Sequence, residues 1–347
     1  MVRIHAAFIT VICVMLACFL CMPGSLRAQE GADSGTDSSG TVSEYTLNDF
    51  YFDTVVSIRF DAGEDGDSLL EGCRSICDDI QHTFSRTEED SELYAVNHRA
   101  EETVEVSEEL ARLVQAGLDY YELSDGRFDI TVAPLSDLWD FKSADNVIPP
   151  EARIRSALRK VDGTSLKVEQ NKDTSLGEAK WEIHFSNPDT MIDLGALVKG
   201  YAADRLADYL KEHRIASALI NLGGNVMTVG SRPDGSAWRI GIREPFGDGV
   251  ADTVEVTDQS VVSSGVYERC FEKDGVLYHH ILDPQTGYPV MNGLWGVSII
   301  SDSSLTGDAL STTCLLIGKD EASELIRSMD GVRAVFVDDQ LHVTQCG

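Results

Sequence analysis

The chain has 347 residues, 43% hydrophobic and 25% charged, with 28 Lys plus Arg against 58 Asp plus Glu and a net charge of −30. This is globular composition, which excludes a wholly disordered chain and a polytopic membrane protein. A surface this acidic repels nucleic acid and anionic lipid, and repels phosphorylated ligands unless something local reverses the sign.

Residues 1–28 read as an export signal. Arg3 supplies a basic start, Ala6 to Met22 is an uncharged apolar run, and Pro23, Gly24 and Ser25 break it before a small residue, Ala28. Two other readings stay open. One is lipoprotein processing at Cys18 after Met15-Leu16-Ala17. The other is an uncleaved anchor, since the run approaches the ~20 residues that span a bilayer. All three place the remainder outside the cytoplasm, in the periplasm or on the outer face of the cytoplasmic membrane. Membrane association then runs through the N-terminal segment alone. Residues 29–46, rich in Gly, Ser, Asp and Thr, read as a flexible polar linker. Residues 47–347 read as one domain. Beyond the signal five cysteines remain, Cys73, Cys77, Cys270, Cys314 and Cys346, an odd number that leaves at least one unpaired. Cys73 and Cys77 share a helix face with Leu69, Leu70, Ile76 and Ile80, which predicts core packing.

In chain order, Phe50–Phe60 is expected to be a strand, and Ser68–Phe84 has helical spacing. Ser107 suits the cap of a helix running to about Tyr121, ended by Ser124-Asp125-Gly126. Pro150 opens a short helix through Lys160. Trp181–Phe185 alternates as a strand, and Leu197–His213 is helical. Ala218–Leu222 is a strand ending in Gly223-Gly224, with several strands between Val226 and Leu282. Trp295–Ile300 is a strand, Leu305–Ile317 and Glu321–Met329 are helices, and two strands close the chain. Without a regular βα alternation the pattern predicts an α+β fold, a single compact mixed α/β unit.

Common nucleotide and hydrolase signatures are absent: no G-x-G-x-x-G opening a helix, no P-loop, no H-E-x-x-H and no G-x-S-x-G. Four clusters carry chemistry instead. Met191 to Asp204 runs from an acidic residue through small residues into a helix start, where free N–H groups can meet an anion; a strand-to-helix turn capped by Asp193 is the plainer reading of the spacing. Asn221-Leu222-Gly223-Gly224-Asn225 is an anion nest or a hairpin turn. Ser263 to Arg269 precedes His279-His280 and the turn Asp283 to Gly287. Thr306 to Leu316 places Asp308 and Thr312 on one helix face beside Ser311, hard oxygen ligands of the kind Mg²⁺ takes when phosphate and water complete the shell. A first-turn Asp favoured by the helix dipole is the plainer alternative.

Together and in this order, the clusters resemble the ApbE-type FAD:protein FMN transferase family. Gly126 to Leu135 with Leu138-Trp139, and Phe84-Ser85-Arg86 with Asp90 to Leu93 and Asn97, resemble two further segments of it. The resemblance implies Mg²⁺-dependent transfer of FMN from FAD to a Thr or Ser hydroxyl of a partner protein, with release of AMP. The implied acceptors are flavin-carrying subunits of membrane electron-transfer complexes. By position it implies Asp308, Thr312 and Ser311 as side-chain metal ligands, with the carbonyl of Ala196. It implies Phe52, Thr87, Arg127, Phe128, Asp129, Asp193, Lys199 and Leu282 at the FAD site, and His280 or Asp308 in the catalytic step. Two positions depart from the family: Phe52-Asp53-Thr54 replaces Met-Gly-Thr, and Thr87 replaces an aromatic that could stack on a FAD ring. The rival functions are a Mg²⁺-dependent FAD pyrophosphatase and an exported FAD-binding protein without turnover.

Overall fold

A computed structural model describes residues 42–143, 145–171 and 180–347. The signal, with Cys18 and Ala28, and the linker up to residue 41 lie outside the described residues.

Strands β1 (Ser43–Tyr51) and β2 (Thr54–Ala62) form an antiparallel hairpin running from Ser43↔Ala62 to Tyr51↔Thr54. This corrects two expectations. Phe50–Phe60 is not a single strand, and residues 43–46 belong to the sheet rather than to the linker. The turn residues Phe52 and Asp53 hold left-handed φ angles of 53° and 59°. That is the geometry of a primed turn, which Asn-Gly usually announces; here the pairing of the two strands imposes it.

The chain continues with α1 (Gly66–Phe84), α2 (Glu92–Asn97), β3 (Thr103–Val106), α3 (Glu108–Leu123), α4 (Ala133–Trp139) and α5 (Glu151–Leu158). Ser107 caps α3 as expected, its side chain accepting from Leu110 N. After β4 (Leu166–Asn171) and β5 (Lys180–Phe185) come α6 (Val198–Glu212), β6 (Ser217–Leu222) and β7 (Asn225–Gly230). Then follow β8 (Trp238–Arg243), β9 (Val250–Val256), β10 (Ser260–Gly265), β11 (Cys270–Lys273) and β12 (Val276–His279). The chain closes with β13 (Leu294–Ser301), α7 (Ser304–Ile317), α8 (Lys319–Arg327), β14 (Arg333–Asp338) and β15 (Val343–Cys346).

Eight strands make one antiparallel sheet in the order β1-β2-β6-β7-β10-β13-β14-β15. Alternation sorts its residues onto two faces. Val56, Ile58, Phe60, Ile220, Ile299 and Phe336 join the main core with α1, α6 and α7. Val261, Ile300 and Val335 face the other way and pack under the β8–β9 ribbon against Trp238, Ile242 and Val254. A separate small sheet, β3-β5-β4, lies beside α3, and α4, α5 and the β11–β12 ribbon share a third cluster around Leu135, Trp139 and Phe271. The described residues thus form an α+β unit. The five cysteines among the described residues are free, with Cys73 and Cys77 fully buried in the core. No helix among the described residues is long and apolar enough to cross a membrane.

Candidate active site

The first site segment, Ile192 to Leu197, is irregular and so needs partners for its backbone. Asn97, at the end of α2, supplies them: it donates to Ile192 O at 2.8 Å and accepts from Ile192 N at 2.7 Å. Asp193 N donates to Ile130 O at 2.7 Å. So fixed, Asp193 turns one carboxylate oxygen to Gly195 N (2.9 Å) and the other to Arg86 Nε (3.2 Å). Arg86 also reaches Asp137 at 2.6 Å. Asp193 therefore caps its turn, as the plainer reading expected, and also anchors a cation.

Helix α6 is locked onto the start of α7. Asp204 accepts from the Ser303 hydroxyl (2.8 Å), Ser304 N (2.6 Å) and Leu305 N (3.0 Å), satisfying donors that a helix start leaves open. Burial raises the Asp204 pKa, and these three donors oppose the rise. Gly200 lies where the two helices touch: a Cβ there would sit 2.4 Å from Ser304 O. One turn further along α7 is Asp308, 2% exposed. Its Oδ2 accepts from Gly200 N at 2.9 Å and its Oδ1 faces Lys199 Nζ at 3.5 Å; that ammonium also donates to Gly195 O at 3.3 Å. The Ser264 hydroxyl, on β10, lies 2.7 Å from Ser311 Oγ and 3.4 Å from Thr312 Oγ1.

The Gly223-Gly224 cluster resolves as a hairpin turn, with φ angles of 63° and 96°. Its amides are taken, Gly223 N by Val55 O and Gly224 N by Asn221 Oδ1, so the anion-nest reading falls. The turn seats against the β1–β2 hairpin, since a Cβ on Gly223 would meet Thr54 Oγ1 at 2.0 Å.

His279 and His280 end the β11–β12 ribbon. His279 is 2% exposed and its Nε2 contacts Val290 O at 2.9 Å, which places it in the packing. His280 Nδ1 is buried without a hydrogen-bond partner. Burial, reinforced by the Arg269 charge, pushes the His280 pKa down to about 3, so the ring is neutral. Lys199 also acts on His280, while Asp53 pairs with Lys142 and feels Arg269 and Arg86. The structure thus brings Asp193, Ala196, Lys199, His280, Asp308 and Thr312 into one connected region.

Other expected site residues fall differently. Phe128 is 3% exposed and packs near Tyr120 in the main core, and Leu282, 6% exposed, packs in the third cluster. Their side chains stand in the core. Ser311 is fully buried and donates to Asp308 O at 3.0 Å while meeting Ser264, so its hydroxyl braces α7. Asp129 accepts from Thr131 N, Thr131 Oγ1 and Gly163 N, and burial raises its pKa; it holds a loop together. Arg127 and Phe52 are half-buried, and Thr87 is exposed. Phe52 is held through its backbone, N to Gln81 Oε1 at 3.1 Å.

Sequence reasoning left Arg86, Asp137, Lys142, Ser264 and Arg269 off the site. Arg86, Asp137, Lys142 and Ser264 each stand far along the chain from their partners, so spacing carries no signal for those pairings. The one usable hint is that they are polar residues inside or beside the family-like segments.

The ApbE family model matches residues 52–336. A FAD:protein FMN transferase of Klebsiella pneumoniae is 36% identical over 258 residues, 74% of this chain and 77% of the relative. One from Treponema pallidum is 32% identical over 337 residues, 93% of this chain and 90% of the relative. The crystal structure of an ApbE protein from Thermotoga maritima superposes with a TM-score of 0.77 at 32% identity, covering 88% of this chain and 97% of that one. A single model spanning most of the domain, together with this identity at near full length, shows that the chain belongs to the ApbE family.

Proposed function

We propose that this protein transfers FMN from FAD to a Thr or Ser hydroxyl of an acceptor protein and releases AMP, with Mg²⁺, outside the cytoplasm. The observation that carries the reading is Asp308: a buried carboxylate, held by a helix-start amide and an ammonium, beside two hydroxyls on α7 and one on β10. The curated relatives bear this activity as their name. The donor set fits Mg²⁺. It offers hard oxygens only, from the Asp308 carboxylate, the Thr312 hydroxyl and the Ala196 carbonyl, and a single carboxylate leaves room for phosphate and water ligands. When bound, the ion would neutralise charge on the phosphate oxygens.

The protein's own groups supply the rest. The acceptor oxygen attacks the FMN-side phosphorus, the bond from that phosphorus to the bridging oxygen breaks, and AMP leaves with that oxygen. The hydroxyl proton goes to neutral His280, whose buried ring nitrogen has no protein partner. Lys199 holds Asp308 in place, and Asp193 and Arg86 fix the turn that carries Ala196. The acceptors we propose are flavin-carrying subunits of membrane electron-transfer complexes. The N-terminal segment, as cleaved signal, lipid-bearing Cys18 or anchor, delivers the domain to them.

Mass spectrometry of a flavin-carrier subunit incubated with the protein, FAD and Mg²⁺ should show a gain of one FMN group. Release of FMN and AMP with no labelled subunit would favour the pyrophosphatase reading instead, in which water takes the hydroxyl's place. Intact FAD bound without turnover would sink both.

The depressed His280 pKa makes a second prediction. A neutral ring accepts the proton at any pH above its own pKa. The acid limb of kcat/KM, which reports the free enzyme, should therefore lie below the ordinary histidine value of about 6.5. A limb at or above that value would exclude His280 in this environment as the acceptor.

A further inference from the structure

We infer that Arg269 is a substrate-binding residue whose guanidinium grips the phosphate oxygens of a diphosphate, directly across the β11–β12 ribbon from His280. The inference rests on the flavin-transfer reading of this site and adds to it the group that reads the anion.

The register places the pair. Cys270 stands opposite His279, Phe271 opposite Tyr278 and Glu272 opposite Leu277. The next pair outward is Arg269 and His280, joined by His280 N donating to Arg269 O at 3.0 Å. Directly opposite residues on an antiparallel ribbon send their side chains to the same face. The Arg269 guanidinium therefore shares its face with the His280 ring.

Charge then separates Arg269 from its neighbours. The three other cations of the region are each engaged: Arg86 by Asp193 and Asp137, Lys142 by Asp53, and Lys199 by Asp308. Arg269 makes no side-chain hydrogen bond or ion pair among the described residues, although it is half-buried. Asp53, already paired with Lys142, is the carboxylate that feels it, so in a chain of net charge −30 this half-buried guanidinium keeps its donors free while standing among three other cations. Its planar fork of donors matches two phosphate oxygens at once, which an ammonium does not. The groups that act on His280 are Arg269, His279 and Lys199, all positive or neutral, so a phosphate held here would also sit beside the proton acceptor.

The test is calorimetric titration of the purified protein with inorganic pyrophosphate and Mg²⁺, comparing wild type with Arg269→Gln and Arg269→Lys at matched melting temperatures. We expect Arg269→Gln to weaken pyrophosphate binding about tenfold or more and Arg269→Lys to weaken it less. The KM for FAD should rise, and the acid limb of kcat/KM should move to higher pH as a positive neighbour of His280 is lost. Unchanged pyrophosphate affinity in folded Arg269→Gln overturns the proposal. If that variant does not fold, Arg269→Lys decides: a several-fold loss supports the fork, and wild-type affinity overturns it. Failure of the transfer reading looks different, as Arg269-dependent pyrophosphate binding in a protein that labels no acceptor.

Discussion

Asp308→Asn should lower flavin transfer by about a thousandfold or more while leaving the fold in place, on the scale seen when a group that stabilises transition-state charge is removed. Asparagine keeps the shape and an oxygen for Gly200 N, so the contact between α6 and α7 survives. What disappears is the only carboxylate among the proposed metal ligands. Lys199, 3.5 Å from Asp308 Oδ1 and partly exposed, loses its partner but can reach water, so the cost in stability should stay within about 1 kcal/mol. Two measurements check this: transfer rate across a Mg²⁺ titration, and thermal melting. Full activity in the variant would show that Asp308 holds no metal; a collapsed melting curve would show that its role is structural.

Gly200→Ala should destabilise the domain by about 1–3 kcal/mol or more, against the trend of helix propensity. In an open helix the change would gain about 1 kcal/mol. Here the added Cβ would lie 2.4 Å from Ser304 O and 2.6 Å from Leu305 Cα, both backbone atoms. Backbone cannot rotate away, so α6 and α7 must part, and the Gly200 N to Asp308 bond lengthens with them. Melting temperature and transfer rate should fall together. Gly307→Ala is the comparison: its Cβ would meet the Val262 side chain at 2.7 Å rather than backbone, so a smaller loss is expected. Equal stability of Gly200→Ala and wild type would mean that the helices have slack at this crossing.

These two glycines illustrate what was legible in the sequence and what was not. The amphipathic spacing of Leu69, Cys73, Cys77, Ile80 and Phe84 announced α1 because burial on one face leaves a period in the chain. Ser107 and the Ser124-Asp125-Gly126 stop marked both ends of α3 for the same local reason. The Phe52-Asp53 turn left no such mark. Asp53 tolerates a positive φ but Phe52 does not, and the nine-residue pairing of β1 with β2, with Gln81 holding Phe52 N, bends the chain there. The six-residue α2 was equally silent, yet its Asn97 fixes the backbone that aims Asp193.

The site divides in the same way. Asp308 and Thr312 are four apart on one helix, and Asp193, Ala196 and Lys199 lie in one turn, so their association could be read along the chain. The burial of Phe128 and Leu282 could not, because whether an apolar side chain meets a ligand or a core depends on elements distant in sequence.

Sequence alone determined the composition class, the main helices and the family-like segments, all of which are properties of neighbouring residues. The acid excess was likewise plain from the residue count. Tertiary structure decided where the positive charge stands. Arg86 at the end of α1, Lys142 after α4, Lys199 on α6 and Arg269 before β11 come from four parts of the chain to one region. Electrostatic interaction depends on distance in space, not on separation along the chain, so only the folded chain could show that an acidic protein gathers four cations in one place.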